Sequence, residues 1–159
     1  MLSTRKLVFS PIVAIAAVAG LVITAGASSA AGSLHSTLAP SHPTDPPFHS
    51  VTAGGVPWVL NHGRVSITPE GEFNVELDGL VIPGLGTPGP VTTVSASLYC
   101  GGDANVSPAA TTRPANLSSR GDAEISDHVT LPETCLAPIV LIHPNNGLAR
   151  YIAVTGWRA

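Results

Sequence analysis

Asp127, His128 and His143 come closest to an acid–base set in this chain of 159 residues. A histidine of ordinary pKa exchanges protons near neutral pH, and a carboxylate can orient it while a serine attacks. Serines are plentiful, so a small hydrolase site around these three residues can be drawn. Two observations weaken it. Asp127 and His128 are neighbours, and neighbours on a strand point to opposite faces. There is also no Gly-x-Ser-x-Gly elbow to present a nucleophile.

Other groups invite chemical readings of their own. Glu70, Glu72, Glu76 and Asp78 cluster in one segment. Glu76 and Asp78 share a strand face by period-two spacing, and two such carboxylates can flank a glycosidic bond. The same spacing describes the solvated face of an amphipathic strand, because Phe73, Val75 and Leu77 take the alternate positions. Asp127 shares the parity of Ile125 and Val129. It is expected to be an inward acid that needs either a β-bulge or an arginine such as Arg120 or Arg150. His35, His42 and His49 recur every seven residues within a Pro-rich stretch. Asp103, Asn105 and Ser107 resemble the start of a calcium loop but lack its later Gly and Glu. Arg120-Gly121-Asp122 reads as a turn into the next strand. Asn105-Val106-Ser107 and Asn116-Leu117-Ser118 fit the glycosylation sequon. Trp58, Tyr99, Tyr151 and Trp157 are scattered aromatics suited to core and rim. None of these sets specifies a cofactor, a metal or a catalytic residue.

The N-terminus supplies an address. Arg5 and Lys6 precede an apolar run from Leu7 to about Thr24, followed by Ala25, Gly26, Ala27, Ser28, Ser29, Ala30 and Ala31. This is the layout of a signal peptide, with cleavage expected between Ala27 and Ala31. An uncleaved N-terminal membrane anchor is the alternative, since the run approaches the length of a bilayer span. Cleavage leaves about 128 residues, enough for one core. That mature chain has five arginines, no lysine and ten carboxylates, a net charge of −5 with neutral histidine. Nucleic acid and anionic lipid both require clustered cations and are excluded as partners. In an exported chain the lone pair Cys100 and Cys135 reads as one disulfide.

The elements that must position these groups are short and extended. Residues 32–54 read as a linker without core residues, because Pro40, Pro43, Pro46 and Pro47 break regular structure. From Gly55 the pattern is strand-like. Arg64–Thr68 alternates with Val65 and Ile67 on one face, Pro69-Glu70-Gly71 turns, and Phe73, Val75 and Leu77 alternate again. Val94, Ala96, Leu98 and Cys100 share a face. A short edge strand is expected at Thr111–Pro114, a longer strand at Ala123–Leu131, and a central strand at Ile139–Ile142. Asn146-Gly147 should turn tightly, and Ile152 and Val154 should share the face of a last strand. No segment after the signal has a helical period. The expected fold is all-β: one antiparallel β-sandwich, immunoglobulin-like or barrel-like, of seven to nine short strands in residues 55–159. The disulfide is expected to cross between its sheets.

Trp58, Gly79-Leu80-Val81-Ile82-Pro83-Gly84, Ser97-Leu98-Tyr99-Cys100, Thr112-Arg113-Pro114, Arg120-Gly121-Asp122-Ala123, Leu131-Pro132, Cys135-Leu136-Ala137-Pro138 and His143-Pro144-Asn145 follow in fixed order. In that layout the chain, from Gly55 to Trp157, resembles a group of small secreted proteins of high-GC Gram-positive bacteria. The resemblance implies export and a single domain. The group has no established activity, so it lends no catalytic residues.

The leading expectation is a secreted, monomeric, non-catalytic domain that binds a protein or glycan ligand outside the cell or at the envelope. A small hydrolase around Asp127, His128 and His143, or an enzyme inhibitor presenting the loop Gly84–Pro90, stands as the alternative.

Overall fold

The computed structural model describes residues 32–103 and 105–156; the expected signal segment 1–31 and Trp157 lie outside them. Among the described residues there are eleven strands and no helix. They are β1 (Leu34–Pro40), β2 (Thr52–Ala53), β3 (His62–Ile67), β4 (Glu72–Asp78), β5 (Thr93–Tyr99), β6 (Ala110–Thr111), β7 (Ala115–Asn116), β8 (Ala123–His128), β9 (Ile139–Pro144), β10 (Arg150–Tyr151) and β11 (Ala153–Thr155). Nine of these, β3–β11, fall in residues 55–159, within the seven to nine expected there, and β1 and β2 precede them.

Nine strands form one curled sheet in the order β6-β5-β9-β11-β1-β3-β4-β8, with β7 also paired to β5. Its pairings are all antiparallel, while the separate β2–β10 pair is parallel. The curl folds the sheet into two layers. Layer A is β1-β3-β4-β8, and layer B is β1-β11-β9-β5 with β6 and β7. The core lies between them: Val65, Ile67, Phe73, Val75, Leu77 and Ile125 from layer A meet Val94, Ala96, Leu98, Val140, Ile142 and Ala153 from layer B. Trp58 packs into the same core.

The hairpin expected from the alternation is present. Val65 pairs with Val75 and Ile67 with Phe73, all buried. The Gly71 amide donates to Thr68 O, and Gly71 has φ +98°, so its left-handed residue completes a three-residue loop.

Three expectations need correction. Residues 32–54 are not a linker outside the core. Leu34–Thr37 pair with β3 and Leu38–Pro40 with β11, so β1 belongs to both layers and the folded unit begins at Leu34. Proline is tolerated there because Pro40 is the strand's last residue. The remainder, residues 41–58, lies over the outer face of layer B and buries Val51, Ala53 and Tyr151 in a second cluster with Tyr99, Leu141 and Val154.

Ile152 and Val154 do not share a face. Ala153 pairs with Ile142 while the Ile152 amide also donates to Ile142 O, a bulge of two residues against one. Ile152 therefore enters the main core and Val154 the second cluster.

Cys100 and Cys135 form the expected disulfide, with Cα atoms 5.0 Å apart. It does not join the two layers as expected. Tyr99 pairs with Ile139, so the bond sits just beyond two adjacent strands of layer B. There it ties down the connection from β8 to β9, which the Gly101 amide also holds through Leu136 O at 2.7 Å.

Closing a loop of 35 residues restricts the unfolded chain. Replacing both cysteines by alanine is expected to lower unfolding free energy by about 2–4 kcal/mol, read as a lower midpoint in denaturant titration. An unchanged midpoint would refute a stabilising role.

Candidate functional site

Alternation leaves the outer face of layer A to solvent, and register lines up its side chains in rows. One row crosses four strands as Thr37, Arg64, Glu76 and Glu124. The next is His35, Ser66, Asn74 and Ser126. Neighbours in a row are separated by one strand spacing, about 4.8 Å, and the rows by about 7 Å. The face forms a groove of about 820 Å³ lined by His35, Thr37, Arg64, Asn74, Glu76 and Glu124.

Arg64 Nη2 donates to Glu76 Oε2 at 2.7 Å across the centre of this groove. Both side chains are more than half exposed, so the pair adds little stability and mainly fixes orientation. The bond from Arg64, and then its charge, hold the Glu76 carboxyl below its ordinary pKa. At neutral pH Glu76 is an acceptor and not a proton donor. Glu124 stands directly opposite it, and like charges so placed oppose pairing of the bare strands. The groove thus offers one forked donor, several neutral hydroxyl and amide groups, and two carboxylate acceptors.

The structure disperses the expected hydrolase set. Asp127 is the inward acid that parity indicated, only 10% exposed, but its arginine is Arg113 rather than Arg120 or Arg150. Its Oδ2 accepts the Arg113 amide at 2.7 Å, and Oδ1 accepts Arg113 Nε at 3.0 Å and Nη2 at 2.8 Å. The His128 amide also donates to Oδ1. Arg113 lies between β6 and β7, and Asp127 on β8, so this contact joins the two ends of the curled sheet. Arg113 bonding, first through the side chain and then through the backbone amide, takes the Asp127 pKa from 3.8 to about 2. A carboxylate so engaged is no proton shuttle. His128 is exposed on β8.

His143 lies on the other outer face, that of layer B, and is wholly buried. Its Nδ1 is 2.8 Å from Arg150 O, and its ring centroid is 6.5 Å from that of Tyr99. Burial holds its pKa below the ordinary histidine value.

The remaining motifs have structural work. Asp103 accepts the His49 amide, and Asn105 Nδ2 donates to Cys100 O. Among the described residues no group of three or more His, Cys, Asp or Glu side chains could hold a metal. Arg120-Gly121-Asp122 forms the expected turn, with Asp122 accepting the Gly79 amide. Asn145 and Asn146, at φ 49° and 58°, form the tight turn after β9, one residue earlier than expected. The Gly84–Pro90 loop folds on itself: Leu85 and Gly86 amides both donate to Ile82 O, leaving Leu85 at its tip 62% exposed.

The groove rows escaped sequence reasoning because they need the register of four strands, one of them β1. No family model, curated protein or solved structure matches the chain.

Asp127 contributes stability above the ordinary carboxylate pKa of 3.8, and this is lost as pH falls toward about 2. Asp127→Asn is expected to cost about 1–2 kcal/mol at neutral pH. In acid titrations of unfolding, the gap between wild type and variant should narrow between about pH 4 and about pH 2. A gap independent of pH would mean that the contact does not carry charge-dependent stability.

Proposed function

We propose that this is an exported, non-catalytic binding domain that takes a hydroxyl-rich ligand, a glycan of the cell surface or its surroundings, in the groove on layer A. The observation that carries the reading is the pair of polar rows across β1, β3, β4 and β8, all but Ser126 lining one groove. Arg64, Asn74, Glu76, Glu124 and the hydroxyls of Thr37, Ser66 and Ser126 alternate donors with acceptors. That alternation suits a ligand whose hydroxyls do both. The buried strand faces below keep this lattice rigid, which reduces the ordering cost of binding.

A non-catalytic role is supported by the state of the acids. Glycoside hydrolysis needs one carboxyl of raised pKa to protonate the leaving oxygen. Glu76 is shifted the other way, and Asp127 is committed to Arg113. Export is supported by the N-terminal signal layout and by the disulfide, which persists in oxidising compartments. Among the described residues no helix is long and apolar enough to cross a membrane.

The mature domain, probed with an array of surface polysaccharides, is expected to retain at least one. Arg64→Ala and Asn74→Ala should each weaken that binding by about tenfold or more, with thermal midpoints close to wild type because both side chains are exposed. Retention unaffected by both substitutions would move the site elsewhere. Hydrolysis of the retained glycan, abolished by Glu76→Gln or Glu124→Gln, would overturn the non-catalytic reading.

A further inference from the structure

Residues 41–58 leave the fold and return to the same point. The Trp58 amide donates to Ser41 O at 3.0 Å, so the two ends of the loop are pinned together. Compact surface loops with joined ends are frequently functional. The body of this one covers layer B through a cluster separate from the main core: Val51 and Ala53 against Tyr99, Leu141, Tyr151 and Val154. Its tip is His49-Ser50, both in the left-handed region at φ 50° and 65°. Non-glycine residues hold such angles only where surroundings enforce them. Here the His49 amide donates to Asp103 Oδ1, its Nδ1 lies 2.6 Å from Asn105 O, and its ring stacks on Tyr99 at 4.8 Å.

His143 lies on the same outer face and is linked to the loop through Tyr99, on which His49 stacks, and through Arg150. Its Nε2 is buried without a hydrogen-bond partner, as is Oγ of Ser95, the residue paired with it across β5 and β9. The groups facing the ring are Ser95 and Tyr99 from β5, and Arg150 from β10. His49 of the loop lies beyond Tyr99, with Asp103 on its backbone amide. Arg150 meets the ring through its backbone carbonyl, and its own side chain, on an exposed residue, donates from Nη1 to Ala53 O of the loop. A proton on Nε2 would therefore place an unpaired positive charge in a buried site. Such a charge is expensive unless water reaches it.

We propose that residues 42–57, hinged at the Ser41–Trp58 pair, are an acid-released lid: protonation of His143 lifts them from layer B while the two-layer core, Trp58 included, stays folded. The sign follows from burial. The closed state disfavours the imidazolium, so closure is fully stable above the ordinary histidine pKa and weakens as pH falls below it. Opening would uncover Tyr99, Leu141, Tyr151 and Val154, an aromatic and aliphatic face able to take an apolar partner.

Amide hydrogen exchange on the mature protein at about pH 7.5 and about pH 5, corrected for intrinsic rates, tests this. Protection of the His49, Val51, Thr52 and Gly54 amides is expected to fall about tenfold or more at the lower pH, while β4, β5 and β9 amides stay protected. His143→Phe should make lid protection independent of pH. Should that variant fail to fold, nitrogen shifts of the wild-type His143 ring give the same test, with Nε2 protonation tracking the loss of lid protection. The proposal is overturned if the core strands lose protection together with the lid, if the lid stays closed as the ring protonates, or if the pH response survives in His143→Phe.

Discussion

One strand holds the architecture together. Leu34–Thr37 of β1 pair with β3, and Leu38–Pro40 with β11, so among the described residues a single strand links layers A and B in the sheet. The transfer requires close approach at the crossing. Gly63 permits it, since a Cβ there would sit 2.8 Å from Leu38 Cβ. Everything on either side inherits this constraint. Layer A gains His35 and Thr37 for its groove, layer B gains a neighbour for β11, and the main core is bounded at the fold by Leu38.

The two layers then differ in how many faces they bury. Layer A buries one, and β4 alternates buried and exposed residues along its whole length. Layer B buries both, and β5 from Val94 to Tyr99 is buried without interruption. The inner positions Val94, Ala96 and Leu98 are apolar, while the outer ones are Ser95, Ser97 and Tyr99. Those outer positions are small or amphipathic because a loop, not a second sheet, packs on them. Ser97 Oγ finds Thr111 Oγ1 at 2.9 Å, and Tyr151 Oη donates to Pro46 O. The loop thus supplies the Pro46 carbonyl to the Tyr151 hydroxyl, which a purely apolar cover would strand.

Local pattern was a good guide where one face meets water. The β3–β4 hairpin was legible because period-two alternation and Pro69-Glu70-Gly71 agree with each other. It failed where tertiary context decides. The sequence of β1 is only half apolar and ends in proline, so its place in the sheet comes from two partners distant in the chain. Pro43, Pro46 and Pro47 do preclude regular structure. They do not preclude packing, because Phe48, Val51 and Ala53 between and beyond them reach layer B. The bulge at Ile152 leaves no compositional trace, and a shift of one residue exchanges faces. For Asp127, parity correctly announced an inward acid in need of a cation. Its partner was not readable, since Arg113 reaches it only when the sheet curls.

That curl also explains why Asp127 is poor at proton transfer. Closing the sheet brings β7 against β8 without a ladder between them, and the seam must be bridged by side chains. Asp127 bridges it by accepting from Arg113 and lies inward for that reason. Opposite it in layer A, Phe73 is wholly buried, so the same register position that seals the core also spends its carboxylate on closure. The acids left over in layer A, Glu72, Glu76, Asp78 and Glu124, are those that alternation turns outward, and Arg64 holds Glu76 ionised. Ionised acceptors on a rigid lattice favour recognition over general-acid chemistry. Geometry that closes the fold thus also determines what its open face can do.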